Sequence, residues 1–185
     1  ASRLESSRGQ IENRIVAGLD SLDAKDVDVV IDFSGTEIFD RVVNWCAQKK
    51  VALVSGTTGI SADQKLTLAS GARQTPIVYS ANMSLGVNVL AGLLERLGPL
   101  KDFDFQIEEA HHRHKKDRPS GTALLLKAHL DQAIGRSSEE PAVIRGGGIF
   151  GTHKGWAMSD EEVLMFEHQA LNRGVFAKGA LIVAQ

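Results

Sequence analysis

Between Glu108 and Thr122 the chain gathers three of its six histidines, His111, His112 and His114, with Arg113, Lys115, Lys116 and Arg118 between and behind them. The run ends in Pro119-Ser120-Gly121-Thr122, after which Ala123 to Leu130 carries an apolar helical pattern. Proton-transfer groups and positive charge therefore lead directly into the start of a helix. The first N–H groups of a helix lack intrahelical partners, and with the helix dipole they favour an anion. Ser120 is a good N-cap, and Gly121 lets a ligand come close to the backbone. The chemistry that suits this arrangement is protonation or deprotonation of a small carboxylate or phosphate held in place.

Plainer readings of the same residues exist. A His/Lys/Arg run can be a solvated basic face or can touch RNA phosphates, and three clustered histidines can bind a metal. On an extended strand His112 and His114 share one face, and His111, Arg113 and Lys115 share the other. That leaves two histidines on one side with no cysteine near, while Glu108 and Asp117 lie outside a compact ligand spacing. Spacing favours an anion site over a metal, and a metal over nucleic acid.

The elements that must position this segment read as α/β. Val27 to Phe33 is β-branched and almost continuously apolar, the pattern of a buried parallel strand. Ser34-Gly35-Thr36-Glu37 follows as a cap, and a helical pattern runs through Ile38, Val42, Val43 and Cys46. Val51–Val54 is a second strand, Gly56-Thr57-Thr58-Gly59 a tight loop, Ser61 to about Ser70 a second helix, and Pro76–Ser80 a third strand. This alternation indicates a doubly wound parallel sheet, which binds ligands at the carboxyl ends of its strands. Gly86–Leu97 is a strongly apolar helix. Phe103–Glu108 alternates as a half-buried strand and delivers the histidines. Ser120 to about Ile134 is a helix that Gly135 can cap. Ala142–Arg145, Ile149–His153 and Glu161–Gln169 are further strands, giving a second sheet of about four. Gly146-Gly147-Gly148 is no phosphate loop, since neither Lys-Ser/Thr nor a helix follows it. Residues 172–185 read as a closing amphipathic helix. Residues 1–13 read as a loop, with a short strand or turn between Arg14 and Leu22.

The 185 residues allow one domain or two small ones, and 43% hydrophobic with 24% charged residues is a globular balance. A net charge of -2 argues against a general nucleic-acid binder. The single cysteine, Cys46, excludes an internal disulfide and reads as a buried thiol. No apolar run is long enough to span a membrane, and the first residues lack a signal-peptide core. These features predict a soluble, cytoplasmic protein without a membrane partner.

Glu109-Ala110-His111-His112-Arg113-His114-Lys115, with Asp117-x-Pro119-Ser120-Gly121-Thr122-Ala123, resembles the signature of the 4-hydroxy-tetrahydrodipicolinate (dihydrodipicolinate) reductases. Asp28–Ser34, Ser55–Gly59, Ser80–Asn88 and Arg145–His153 match that family in order, so the resemblance runs from about Val27 onward. It implies NADH- or NADPH-dependent reduction of a cyclic dicarboxylate in diaminopimelate and lysine biosynthesis. It implies His111 as general acid or base, Lys115 as cationic partner and proton donor, and His112, Ser120, Gly121 and Thr122 as substrate contacts. It implies Gly56, Thr57, Thr58, Ser80, Ala81, Asn82, Met83 and Arg173 as coenzyme contacts, and no metal. Without the resemblance, the Gly56–Gly59 loop reads as a plain turn. The implied organisation is a partial Rossmann-type coenzyme domain over residues 1–85 and an α+β substrate and tetramerisation domain over 86–170. A helix over 171–185 then returns to the first domain, and the implied assembly is a homotetramer.

The family begins with a strand and a Gly-x-x-Gly-x-x-Gly turn that sets the coenzyme pyrophosphate on a helix N-terminus. Nothing before Val27 offers that turn or the residue that tells NADH from NADPH. A second expectation therefore stands beside the enzyme: a truncated, non-catalytic homologue that binds the dicarboxylate or forms a tetramer without coenzyme. A metal or RNA module ranks third.

Overall fold

A computed structural model describes residues 16–185. The loop expected for residues 1–13 lies outside them. The first described elements are short 3-10 turns at Leu19–Ser21 and Ala24–Asp26.

Strands β1 (Val29–Asp32), β2 (Ala52–Ser55) and β3 (Ile77–Tyr79) form a parallel sheet in the order β1-β2-β3. The first crossover helix, α1 (Thr36–Lys49), buries Phe39, Val42, Val43 and Cys46, the helical spacing read from the sequence. It stops where Lys50 turns left-handed at φ 60°. Helix α2 (Ala62–Ala72) opens with a reciprocal capping box between Ser61 and Gln64. Gln64 also donates to the Thr36 carbonyl at 2.6 Å, which ties the starts of α1 and α2 together. Leu53, Val30 and Ile77 pack with α1 on this face of the sheet. Val54 packs on the other face with Met83 and Ala180 of α5 (Gly174–Val183). Helices thus lie on both faces, as a doubly wound sheet requires.

The second sheet has the order β5-β4-β6-β7, with β4 (Asp104–His111) parallel to β5 (Ala142–Arg145) and antiparallel to β6 (Gly151–Met158), which pairs antiparallel with β7 (Val163–Ala170). Along β4, Phe105, Ile107, Glu109 and His111 alternate inward. They face α3 (Leu85–Leu94) and α4 (Gly121–Ile134), whose Leu90, Leu94, Leu126 and Leu130 complete the core. Gly135 caps α4 at φ 71°.

Three sequence expectations are corrected. β1 is not buried on both faces: it is an edge strand among the described residues, and Ile31 is 38% exposed. Ser34 caps no helix N–H, because its hydroxyl donates to Asp32 instead. β6 runs five residues past the expected His153, to Met158. Its inner face is Gly151, His153, Gly155 and Ala157, so it lacks the bulky alternation that marks a strand. A Cβ at Gly155 would come within 2.7 Å of Leu94, which explains the small residue there.

Candidate active site

A pocket of about 910 Å³ opens where the carboxyl ends of β1–β3 meet the end of β4 and the starts of α4 and α5. Gly56, Thr58, Ala81, Asn82, Met83, His111, His112, Lys115, Ser120, Gly121, Thr122 and Arg173 all line it. Thr57 and Ser80 do not. Thr57 is buried with its hydroxyl donating to Asp32 at 2.7 Å, and the Ser80 hydroxyl donates to the Asn82 carbonyl at 2.8 Å. Both shape the loops that carry their neighbours.

The loops after β1 and β2 are organised by one carboxylate. Asp32, 5% exposed, accepts from the Ser34 N–H at 3.0 Å, the Ser34 hydroxyl at 2.5 Å and the Ser55 and Thr57 hydroxyls at 2.7 Å each. Burial raises its proton affinity, but these four donors outweigh burial and hold its pKa below the ordinary carboxylate value. Phe33 then lies across Gly56, where an added Cβ would sit 2.3 Å from its ring. Gly56 is therefore required for this close approach.

The histidine segment does not continue as a strand. β4 ends at His111, and the Lys115 N–H donates back to the His112 carbonyl at 3.1 Å, closing a turn. The expected alternation between His112/His114 and His111/Lys115 therefore fails: His111, His112 and Lys115 reach the same pocket, while Arg113, His114 and Lys116 are exposed. The glycine run braces this turn, through Gly146 N–H to the His111 carbonyl at 3.0 Å and Arg113 N–H to the Gly147 carbonyl at 3.3 Å. Lys115 Nζ pairs with Asp117 Oδ1 at 2.9 Å. That contact, helped by Lys115's charge, more than offsets burial and holds the Asp117 carboxyl below its usual range. At the start of α4, the Ser120 hydroxyl accepts from the Ala123 N–H at 3.2 Å, and the N–H groups of Gly121 and Thr122 have no partner among the described residues. Asn82 Nδ2 donates to the Thr122 hydroxyl at 2.9 Å, joining the loop after β3 to this helix start.

Behind His111 lies a buried polar array that sequence reading did not assign. Glu109, fully buried, meets His111 Nδ1 at 2.5 Å and accepts from Ser120 N–H at 3.0 Å and from both terminal nitrogens of Arg145 at 2.7 Å. The bidentate clamp is the strong geometry for a buried guanidinium–carboxylate pair. Burial favours the neutral acid, yet Arg145, His111 and the Ser120 N–H together keep Glu109's pKa low. Burial lowers His111's own pKa, and Lys115 and Arg145 lower it further, against the pull of Glu109. His153 packs edge-on to His111 with ring centres 5.1 Å apart, and His168 stacks on His153 at 6.4 Å. Burial, with His111 and His168 adding, pushes His153 down to about 4. The available signal was the two-residue spacing of Glu109 and His111, which puts both on one strand face. Arg145 and His153 reach the site only through sheet pairing, His111 opposite Arg145 and Glu109 opposite His153, which spacing along the chain does not reveal.

Comparisons with known proteins agree with this architecture. The family model described as dihydrodipicolinate reductase, N-terminus, matches residues 2–83, and that for the C-terminus matches residues 86–185. The match begins well before Val27, where the motif resemblance started. A 4-hydroxy-tetrahydrodipicolinate reductase of Bdellovibrio bacteriovorus is 49% identical over 90% of this chain and 72% of its own. That of Myxococcus xanthus is 40% identical over 96% of this chain and 73% of its own. Among solved structures, a dipicolinate-bound dihydrodipicolinate reductase from Paenisporosarcina sp. TG-14 superposes with TM-score 0.77 at 20% identity, over 91% of this chain and 72% of that one. Aspartate dehydrogenase from Thermotoga maritima shares the fold more loosely, with TM-score 0.51 at 11% identity over 96% and 82%. With family models covering residues 2–83 and 86–185 and relatives at this identity, the chain belongs to the dihydrodipicolinate reductase family.

Proposed function

We propose that this protein is a 4-hydroxy-tetrahydrodipicolinate reductase of diaminopimelate and lysine biosynthesis, with its chemistry in the pocket between the two sheets. The observation that carries this reading is the convergence of His111, His112, Lys115 and the start of α4 on the pocket that also receives the carboxyl-end loops of the parallel sheet. A cyclic dicarboxylate fits the donor set. The Gly121 and Thr122 N–H groups with the Ser120 and Thr122 hydroxyls hold one carboxylate at the helix start, and His112 contacts the substrate. A helix end contributes about 0.3–1 kcal/mol per charge at an exposed site and more when partly buried. Lys115, steadied by Asp117, is the proton donor. His111, with Nδ1 engaged by Glu109, offers Nε2 as acid or base. The dipicolinate bound to the Paenisporosarcina relative supports a planar dicarboxylate as ligand.

The loops after β1–β3 suit the nicotinamide half of NADH or NADPH: Gly56, Thr58 and Ala81 to Met83 border the pocket beside the half-exposed Phe33 ring. Arg173, exposed at the start of α5, borders it from the other side. Thr57 and Ser80 act through the shape of these loops. A bound reduced nicotinamide supplies the hydride; the chain's own residues orient the ring, hold the carboxylates and manage the proton. His111→Gln and Lys115→Ala are each expected to lower kcat more than they raise KM, because each group acts in the transition state. Substrate-dependent NADPH oxidation reads this directly, and unchanged turnover in either variant would remove that residue from the mechanism.

This reading keeps the division near residue 85, with residues 171–185 returning to the coenzyme domain, and a cytoplasmic placement. No helix among the described residues is long and apolar enough to cross a membrane. It also includes a homotetramer assembled through the open face of the second sheet, where Ile144, Val163 and Met165 are 48%, 56% and 47% exposed. Light scattering of the purified protein should give four times the chain mass; a monomer would contradict it.

A further inference from the structure

We propose that Glu109, clamped by Arg145, is the positioning residue of the reductase site: it fixes His111 in the Nδ1–H tautomer and compensates the charge that His111 gains when it takes a proton. The proposal rests on the reductase reading for the identity of the reaction, and on geometry for the rest.

Glu109 is fully buried and does not line the pocket, so it acts only through what it holds. An ionised carboxylate has no proton to donate, so the contact with His111 Nδ1 at 2.5 Å places the hydrogen on that nitrogen. Nε2 then carries the lone pair. It makes no hydrogen bond to the described residues and lies beside Gly151, where an added Cβ would come within 3.0 Å of it. The same carboxylate accepts the Ser120 N–H, so one buried group fixes both the acid–base residue and the cap of the substrate-binding helix.

The charges around His111 explain why the carboxylate must be ionised. Lys115 faces the ring from the turn, Arg145 from β5 and His153 from β6, with His168 of β7 behind His153. Lys115 and Arg145 oppose a proton on His111, Glu109 favours one, and Asp117 is engaged with Lys115. Arg145 keeps Glu109 anionic. His153, buried and neutral at neutral pH, fills the space beside the imidazole without adding charge.

The test is the ring nitrogen NMR of His111 in ¹⁵N-histidine-labelled protein, titrated in wild type, Glu109→Gln and Glu109→Asp, with kcat measured against pH on the same samples. His111→Gln assigns the resonance and the kinetic limb. Glu109→Gln should erase the preference for Nδ1–H, move the His111 titration to lower pH, carry the His111 limb of kcat the same way, and lower kcat by about 10–100-fold, the scale known for carboxylates that orient metal-bound histidines. Glu109→Asp, which retains the charge, should restore the titration toward wild type. A Glu109→Gln protein that loses activity with the His111 tautomer and titration unchanged overturns the proposal, since a merely structural role would do that. A wild-type enzyme without turnover contradicts the reductase reading instead, and the titration still decides the role of Glu109.

Discussion

In the proposed mechanism the two nitrogens of His111 have different tasks, and its surroundings divide them. Nδ1 is committed to Glu109, so only Nε2 is available for chemistry. Lys115 is the cation beside it, held by Asp117 on the solvent side. The pairing predicts a graded response. Asp117→Asn should weaken Lys115's positioning and lower kcat, yet by less than Lys115→Ala, because the ammonium itself remains. Equal losses from both variants in a steady-state assay would mean that Asp117 has a role of its own. Gly151→Ala tests the packing of the ring from the opposite side. The new Cβ would meet His111 Nε2 at 3.0 Å, and misplacement of a reacting group by a fraction of an ångström should cost several-fold in kcat. Wild-type kcat in this variant would show that the ring is free to move. The histidine segment was legible in the sequence because its residue types are unusual and contiguous. Its turn was not, since an alternating reading presumes the strand continues past His111.

At the scale of elements, the site depends on close contacts that only small residues permit. α5 lies so tightly on the loop after β3 that a Cβ at Gly179 would stand 1.7 Å from the Met83 carbonyl oxygen. That neighbour is backbone and cannot turn aside. Gly179→Ala should therefore lift α5 from the sheet, destabilise by about 1–3 kcal/mol or more as overpacking does, and raise the KM for coenzyme because Met83 lines the pocket. Thermal melts and coenzyme titration read the two effects, and an unchanged melting temperature would contradict this packing. Asp32→Asn should have a related but electrostatic effect. It leaves hydroxyls facing a weaker acceptor, with an expected cost of about 1–3 kcal/mol. Helices with wide apolar stripes, such as α1, and strands with β-branched runs, such as β1, were readable from the sequence. β6 was readable only at its start, because Gly155 and Ala157 serve the helices packed on them and carry no signal of their own. Asp32 lies near the end of the strand read from the sequence, but its donors come from the end of β2 and from the loops after β1 and β2, which the sheet brings together.

At the scale of the whole molecule, the buried histidines should govern the response to mild acid. Burial first, then His111 and His168, hold His153 at about 4 in the folded protein, whereas an unfolded histidine titrates near ~6.5. Between these values the unfolded chain binds a proton that the folded chain refuses, so stability falls as pH falls through this window. His111 and His168, both also lowered, add in the same direction. Melting temperature should therefore drop from pH 7 to pH 4.5, and His153→Gln should flatten the slope; an unaltered slope would contradict a neutral buried His153. The two-sheet architecture and the strand count of each were legible in the sequence. The shared pocket was not, because it exists only where the carboxyl ends of one sheet meet the last residue of β4.

The most direct test of the reductase reading is NADPH oxidation by the purified protein supplied with substrate freshly made by the preceding synthase, with and without pyridine-2,6-dicarboxylate. Oxidation should require the substrate, be blocked by the dicarboxylate, and collapse in Lys115→Ala. Dicarboxylate binding with no substrate-dependent oxidation would contradict it and would identify a binding protein built on the reductase fold.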